Sequence, residues 1–485
     1  MSTYQELYNQ HEKKIEKTQL FFRASKSALY RNNWKKYNVN VDKLKGFNGL
    51  QSLPYSSAND LRRVWEAFSI EEIILTKNVA FWHCTSGSMG NKKWLPWTYH
   101  DYTRSRTELG ETLLSFLKPD DIVMSIVLPV PYISGALAYR ILESTASIGH
   151  PIEQITMSPD YVQDSFGLLL KRQPTAIMCT PSLALRMAEE IARNTPKVLK
   201  RQAELNKSAK LKIASLITKI KKIKPKRVFK NLRVGFFFAE SLRPFRKVVE
   251  DQYSIEAFDI YAFTEGFGVG YECQEHNGLH FPSLNCVLEI IPEKELEKEQ
   301  ENPDYIPKAI LLSEASKGLK GEIVISDFKE ALPLLRYRVR DMIEVIAEDE
   351  CGCGANSPRL KIIGRTDDII NLGVIRFSSA IVQQYLSREF KNGVIHRWDM
   401  VISREGFKPK LSLRIEPGEI KNEEKFKEEL FTALYDFDVF QIGYDSELFI
   451  FDEIEFVDNL KLGIVGQGKT KRVKYHPNFF KEVKM

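Results

Sequence analysis

Short apolar runs closed by turn residues recur through the first half of the chain. DDIVMSIVLP (Asp120 to Pro129) and TAIMCTP (Thr175 to Pro181) read as buried strands, and NLRVGFFFAE (Asn231 to Glu240) and FDIYAFTE (Phe258 to Glu265) read the same way. Helical stretches follow the first two runs. SLALRMAEEIARN opens on Ser182, a suitable N-cap, and carries Glu189 and Glu190 on its polar side. Strand–helix alternation over this length predicts an α/β fold with largely parallel sheets. The style changes past RLKIIGRTDDIINLG (Arg359 to Gly373). Alternating KPKLSLRIEPGE and SELFIFDEIEFVD predict strands, and NEEKFKEELFTALYDF predicts a helix. The expected organisation is a large N-terminal domain of stacked sheets and helices, 1–365, and a small α+β C-terminal domain, 366–485. No internal repeat interrupts it.

Composition agrees with a folded chain of more than one domain: 485 residues, 43% apolar and 28% charged. No apolar run is long enough for a membrane span, and MSTYQELYNQHEKK lacks the apolar core of a secretory signal. Six cysteines in this length make no disulfide scaffold, so a reducing, cytoplasmic setting is expected. The net charge of +6 is unevenly spread. Arg193 to Lys230 carries +13, with Glu204 its single acid, which leaves −7 for the rest. A basic character confined to one segment does not point to nucleic acid. Within it Leu211, Ile213, Leu216, Ile217, Ile220 and Ile223 fall mostly at helical spacing among lysines. That pattern suits docking on an acidic partner or anionic lipid, and more often marks a solvated surface helix.

HCTSGSMGNKKW, His83 to Trp94, holds hydroxyls, glycines and lysines in one run. The Gly87 to Gly90 spacing is not that of a Walker loop. Glycines still let backbone N–H groups approach an anion, with Ser86 and Ser88 as further donors and Lys93 as charge. Alone, the run also suits an ordinary surface turn.

Four more stretches accompany it: IYAFTEG (Ile260 to Gly266), LRYRVRD (Leu335 to Asp341), GRTDD (Gly364 to Asp368) and GKTKRV (Gly468 to Val473). In this order and spacing the chain resembles the acyl-adenylate-forming (acyl-CoA ligase) superfamily, and within it the phenylacetate-CoA ligase family. SKSALYRNNWKKY, LQSLPYSSANDL and YECQEHNGLHF carry the likeness nearly end to end. The resemblance implies an ATP-dependent acid–thiol ligase that activates an aromatic or compact carboxylic acid and transfers it to coenzyme A. It implies that Thr85, Ser86, Gly87, Ser88, Gly90 and Lys93 hold the ATP phosphates. Ala239 and Glu240 would contact adenine beside Tyr261, Asp341 would accept the ribose hydroxyls, and Arg365 would stand next to it. Glu265 would hold Mg2+, Thr264 would donate to phosphate, and Lys469 would neutralise charge where the carboxylate attacks. Asp367 matches the hinge of a mobile C-terminal domain. Tyr132, Gly135, Phe236 and Phe263 match positions lining the acid pocket. Two anions meet in such a reaction, which is why cationic screening is needed. The chain departs from the family at Met89, Lys92, Ala262, Ser283 and Leu284, and at Val339 and Arg340, which replace Thr-Gly before Asp341. Asp341 also lies among Arg336, Arg338 and Arg340, any of which can pair with it.

Cys273 and His280, spaced Cys-x6-His, and Cys351 and Cys353, spaced Cys-x-Cys, offer three thiolates and an imidazole. This donor set predicts a closed structural Zn2+ site, with His276 as a rival to His280. Relatives of the phenylacetate-CoA ligase type carry a comparable set. Cys84, Cys179 and Cys286 read as packing residues. Other acceptors stay open alongside coenzyme A: an acidic carrier protein, an amine, or AMP transfer to a deazaflavin-type molecule. A non-catalytic nucleotide-binding module has no use for Lys469. A homodimer follows only from likeness to relatives.

Overall fold

The apolar runs condense into one twelve-stranded sheet with helices on its faces. The structure, a computed structural model, describes the chain apart from residues 1–3, 85–93, 147–148, 221–222, 240, 244, 264, 267–268, 303, 356, 367–368, 373–374, 379–381, 383–396, 417–421, 459, 461–462, 466–468, 482 and 484–485; at Arg365 and Lys469 it describes the backbone alone. Outside the large sheet, β1 (Val79–Cys84) and β2 (Trp94–Thr98) pair antiparallel, with Cys84 opposite Trp94. The hydroxyl-rich run connects them in sequence.

Five strands make the parallel half: β3 (Ile122–Ile126), β4 (Glu153–Met157), β5 (Ala176–Cys179), β6 (Val234–Phe237) and β7 (Glu256–Ala262). Their order is β4-β3-β5-β6-β7. Helices Ile133–Ala146, Val162–Arg172, Pro181–Leu205 and Arg246–Tyr253 alternate with them. Every residue of β5 and β6 is buried, as strands covered on both faces require. The four strands expected from the first-half apolar runs are present. The N-cap differs from expectation: Pro181 is the first helical residue, and the Thr180 hydroxyl accepts from the Leu183 N–H. Proline suits that first position because its missing N–H would go unpaired there anyway, which moves Ser182 inside the helix.

The antiparallel half is built from β8 (Val269–Glu272), β9 (Leu279–His280), β10 (Cys286–Pro292), β11 (Ile310–Leu311), β12 (Lys320–Asp327), β13 (Tyr337–Ala347) and β14 (Arg359–Arg365). From β7 outward the order is β8-β9-β14-β13-β12-β10-β11. The N-terminal helices cover it, and Tyr8, Ile15, Tyr30 and Trp34 share a core with Ile323, Ile325, Ile343 and Val345.

The last stretch has its own sheet and core. After the hairpin β15 (Ile369–Leu372) and β16 (Ile375–Ser378) come β17 (Arg397–Glu405), β18 (Lys408–Glu416) and β19 (Ile450–Phe456). Then β20 (Gly463–Val465) and β21 (Lys469–Lys471) pair antiparallel, and β22 (Val473–Tyr475) joins the sheet in the order β19-β18-β17-β22. Trp398, Met400, Leu411 and Leu413 pack under helix Glu423–Tyr435, whose Asn422 cap accepts from the Lys425 N–H. This is the α+β mixture that the change in patterning predicts.

Candidate functional site

Asp341 sits on β13, where alternate residues are buried, and it is 8% exposed. Three arginines precede it closely in sequence, and each is paired with glutamate: Arg336 with one carboxylate, Arg338 and Arg340 with a shared second one. Arg336 pairs with Glu289 and donates to the Gln51 and Leu53 carbonyls. Arg338 grips Glu322 through two bonds of 2.8 and 2.9 Å and reaches Glu299. Arg340 lies 3.4 Å from Glu322, whose carboxylate also accepts from the Thr366 hydroxyl at 2.7 Å. Burial pushes the Glu322 carboxyl up, but Arg340 and Arg338 outweigh it and hold it down at about 2. Arg340 keeps a left-handed φ of 73°. Glycine, which the resemblance expects at this position, adopts that conformation without steric cost.

Across the site, the Tyr261 hydroxyl at the end of β7 donates to Asp341 Oδ2 at 2.5 Å. Its ring is fixed edge-on against Phe263 and Phe281. Arg365 stands opposite Asp341 in the β13–β14 register. Glu265 follows β7 closely. Its carboxylate accepts from the Tyr337 hydroxyl at 3.3 Å, and its carbonyl accepts from the fully buried ammonium of Lys329. Lys329 also faces Asp327 at 3.4 Å. Ala239, just past β6, adopts a left-handed φ of 69°. The next turn is anchored where Asp259 accepts the Leu242 N–H at 3.2 Å. Burial first, and the nearby Glu272 carboxylate second, push the Asp259 carboxyl up to about 7.

Among the positions expected to line an acid pocket, Tyr132 is half-buried and its backbone bridges to Cys84 at the end of β1. Gly135 approaches the Leu128 carbonyl so closely that a Cβ would lie 2.1 Å from it. Phe263 is half-buried, whereas Phe236 is fully buried in the core against Phe116 and Phe258. Lys469 pairs with Val465 in the β20–β21 hairpin. Thr85, Ser86, Gly87, Ser88, Gly90, Lys93, Glu240, Thr264 and Asp367 lie outside the described residues. Lys329, Glu322 and Asp259 escape a sequence reading because their partners are distant in the chain.

A second cluster gathers Cys273, His280, Cys351 and Cys353, with all four candidate ligand atoms within 4.8 Å of one another. Cys273 Sγ lies 3.7 Å from Cys351 Sγ, and Cys353 Sγ lies 3.7 Å from His280 Nε2. A tetrahedral zinc with bonds of about 2.0 to 2.3 Å separates its ligand atoms by roughly 3.5 to 3.8 Å. Burial lowers the His280 imidazole to about 4, which keeps it neutral, and its Nδ1 is engaged by the Ser357 hydroxyl at 3.1 Å. Gly354 turns the knuckle with a φ of 81°. His276, the rival ligand, is taken up by Arg246, Glu256 and Glu272 instead. Cys84, Cys179 and Cys286 are buried free thiols. Among the described residues, no helix is long and apolar enough to cross a membrane.

No family model matches the chain. Two curated phenylacetate-coenzyme A ligases are similar to it. The one from Escherichia coli (strain K12) is 25% identical over 80% of this chain and 77% of its own length. The one from Pseudomonas putida is 27% identical over 74% of this chain and 71% of its own. A solved 2-hydroxyisobutyryl-CoA ligase, in complex with 2-HIB-AMP and CoA, shares the fold with a TM-score of 0.66 at 18% identity. That match covers 97% of this chain and 89% of the other. In sequence the chain is similar to phenylacetate-coenzyme A ligases, and it shares its fold with an acyl-CoA ligase.

Proposed function

We propose that this chain is an AMP-forming acid–thiol ligase that joins an aromatic or otherwise compact carboxylic acid to coenzyme A. The observation that carries the reading is the meeting of three separate motif stretches: the Tyr261 hydroxyl on Asp341, with Arg365 opposite it in register. Asp341 accepts the ribose hydroxyls of ATP, and the Tyr261 O–H holds one carboxylate oxygen so that the carboxylate keeps its aim. The run from Thr85 to Lys93 cradles the phosphates. Lys469, on the tail of residues 366–485 that swings about Asp367, screens the negative charge as the acid oxygen attacks the α-phosphorus and pyrophosphate leaves. The coenzyme A thiol then attacks the acyl carbon, a thioester forms and AMP departs.

Glu265 would hold magnesium. A partly exposed carboxylate beside the Tyr337 hydroxyl fits a hard cation that keeps several waters. Bound there, the cation supplies charge screening for the phosphates. The Cys273, His280, Cys351 and Cys353 cluster would hold zinc. Its donor chemistry and 3.7 Å spacings fit, and a closed four-ligand shell makes the role structural.

The test is a panel of carboxylic acids, each incubated with ATP and magnesium, with and without coenzyme A, reading AMP and thioester. One aromatic or compact acid is expected to give thioester and AMP in equal amounts. No acid-dependent AMP across the panel overturns the reading. AMP that rises with an acid while coenzyme A yields no thioester moves the acceptor to a carrier protein, an amine or a deazaflavin-type molecule.

A further inference from the structure

The basic segment folds as a helical hairpin of Pro181–Leu205 and Ala209–Ile220. Among the described residues, the buried side chains of the second helix are polar. Ser215 and Thr218 are 4% and 9% exposed, and the Ser215 hydroxyl donates to the Pro196 carbonyl at 2.8 Å. The aliphatic side faces outward, with Ile213, Leu216 and Ile217 at 55–60% exposure and Leu205 at 69%. With about 3.6 residues per turn, Lys210 and Lys212 fall on opposite flanks of that aliphatic ridge. Lys207, Lys224 and Lys226 are also exposed.

We propose that this ridge docks on an anionic phospholipid surface, bringing the enzyme to a membrane without spanning it. The local charge of +13, against −7 for the remaining chain, is complementary to an anionic leaflet and would turn this face toward it. Aliphatic residues flanked by lysines are the composition of an interfacial helix. Protein interface cores favour aromatic residues and arginine and are poor in lysine, so an acidic protein fits the lysines but not the ridge.

The experiment is co-sedimentation of the full-length protein with vesicles of three parts phosphatidylcholine to one part phosphatidylglycerol, and with pure phosphatidylcholine. Binding is expected to the anionic vesicles only and to fall with salt. Lys210→Glu with Lys212→Glu should weaken partitioning by about tenfold or more, since each lysine near such a surface contributes roughly 1 kcal/mol. Leu216→Ser with Ile217→Ser should do the same, while melting temperature and ATP-dependent turnover of a water-soluble acid stay at the parent values. No binding to anionic vesicles at low salt overturns the proposal, as does equal binding to neutral ones. Self-association that the Leu216 and Ile217 variant abolishes, or an acidic carrier protein captured while vesicles are not, assigns the ridge to a protein and also overturns it.

Discussion

Replacing Tyr261 with Phe isolates one hydroxyl. The ring contacts with Phe263 and Phe281, at centroid distances of 6.0 and 5.7 Å, remain available to phenylalanine. What is lost is the 2.5 Å bond to Asp341 Oδ2. A hydrogen bond to a charged acceptor contributes about 1.5–3 kcal/mol. Water can partly replace the donor at a half-buried tyrosine, which favours the lower end, about 1.5 kcal/mol. If Asp341 binds ribose in both the ground and transition states, the loss is of uniform binding and falls on KM. The expected result is a KM for ATP raised about tenfold, since about 1.4 kcal/mol is one decade. The turnover number should change less than about threefold. The assay is the initial rate of pyrophosphate release against ATP concentration at saturating acid, with a thermal melt as the folding control. A folded variant whose KM for ATP stays within a factor of about two refutes the ribose role of Asp341 and reduces the Tyr261 bond to a packing feature.

Metal analysis of the purified protein should return about one zinc per chain, and Cys351→Ser should lose it along with thermal stability. Metal-free protein with an unchanged melting temperature contradicts the cluster's assignment. Glu322→Gln leaves Arg338 and Arg340 short of a buried partner and should cost about 3–5 kcal/mol at neutral pH in denaturant titrations. Glu322 is held at about 2 when folded, below its ordinary 4.5, so its contribution is complete above about pH 4.5 and disappears as pH falls toward 2. Wild type should therefore lose about 3 kcal/mol more than the variant across that window, and parallel acid profiles would contradict the pairing. Gly135→Ala puts a Cβ 2.1 Å from the Leu128 carbonyl and should destabilise by about 1–3 kcal/mol, read as a fall in melting temperature; an unchanged melt contradicts the close approach.

Four of the five strands of the parallel half were legible because burial leaves nearly unbroken apolar runs such as IVMSI and VGFF; β4, EQITM at the sheet edge and mostly half-buried, leaves no such run. The Cys–His quartet was legible from ligand chemistry alone, and the structure separates His280 from His276 by giving the latter Arg246, Glu256 and Glu272 as neighbours. Asp341 stood out by its motif, but its surroundings did not. Glu289, Glu299 and Glu322, which occupy the three nearby arginines, come from β10, the helix Glu293–Glu301 and β12, and only sheet order brings them to β13. Lys329 was hidden for the same reason, since its contact with Glu265 spans the sheet. In the basic segment, spacing predicted an amphipathic helix but could not say which side would pack. A hydroxyl that finds the Pro196 carbonyl can be buried without an unpaired group, so the polar side packs inward.

The central claim is that Lys469 serves the adenylation half of a two-step ligation. Acid-dependent exchange between pyrophosphate and ATP, compared for wild type and Lys469→Ala, tests it most directly once a substrate acid is in hand. Exchange should fall by about a hundredfold or more in the variant, while a supplied acyl-adenylate is still converted to thioester by coenzyme A. Exchange at the wild-type rate would contradict the account.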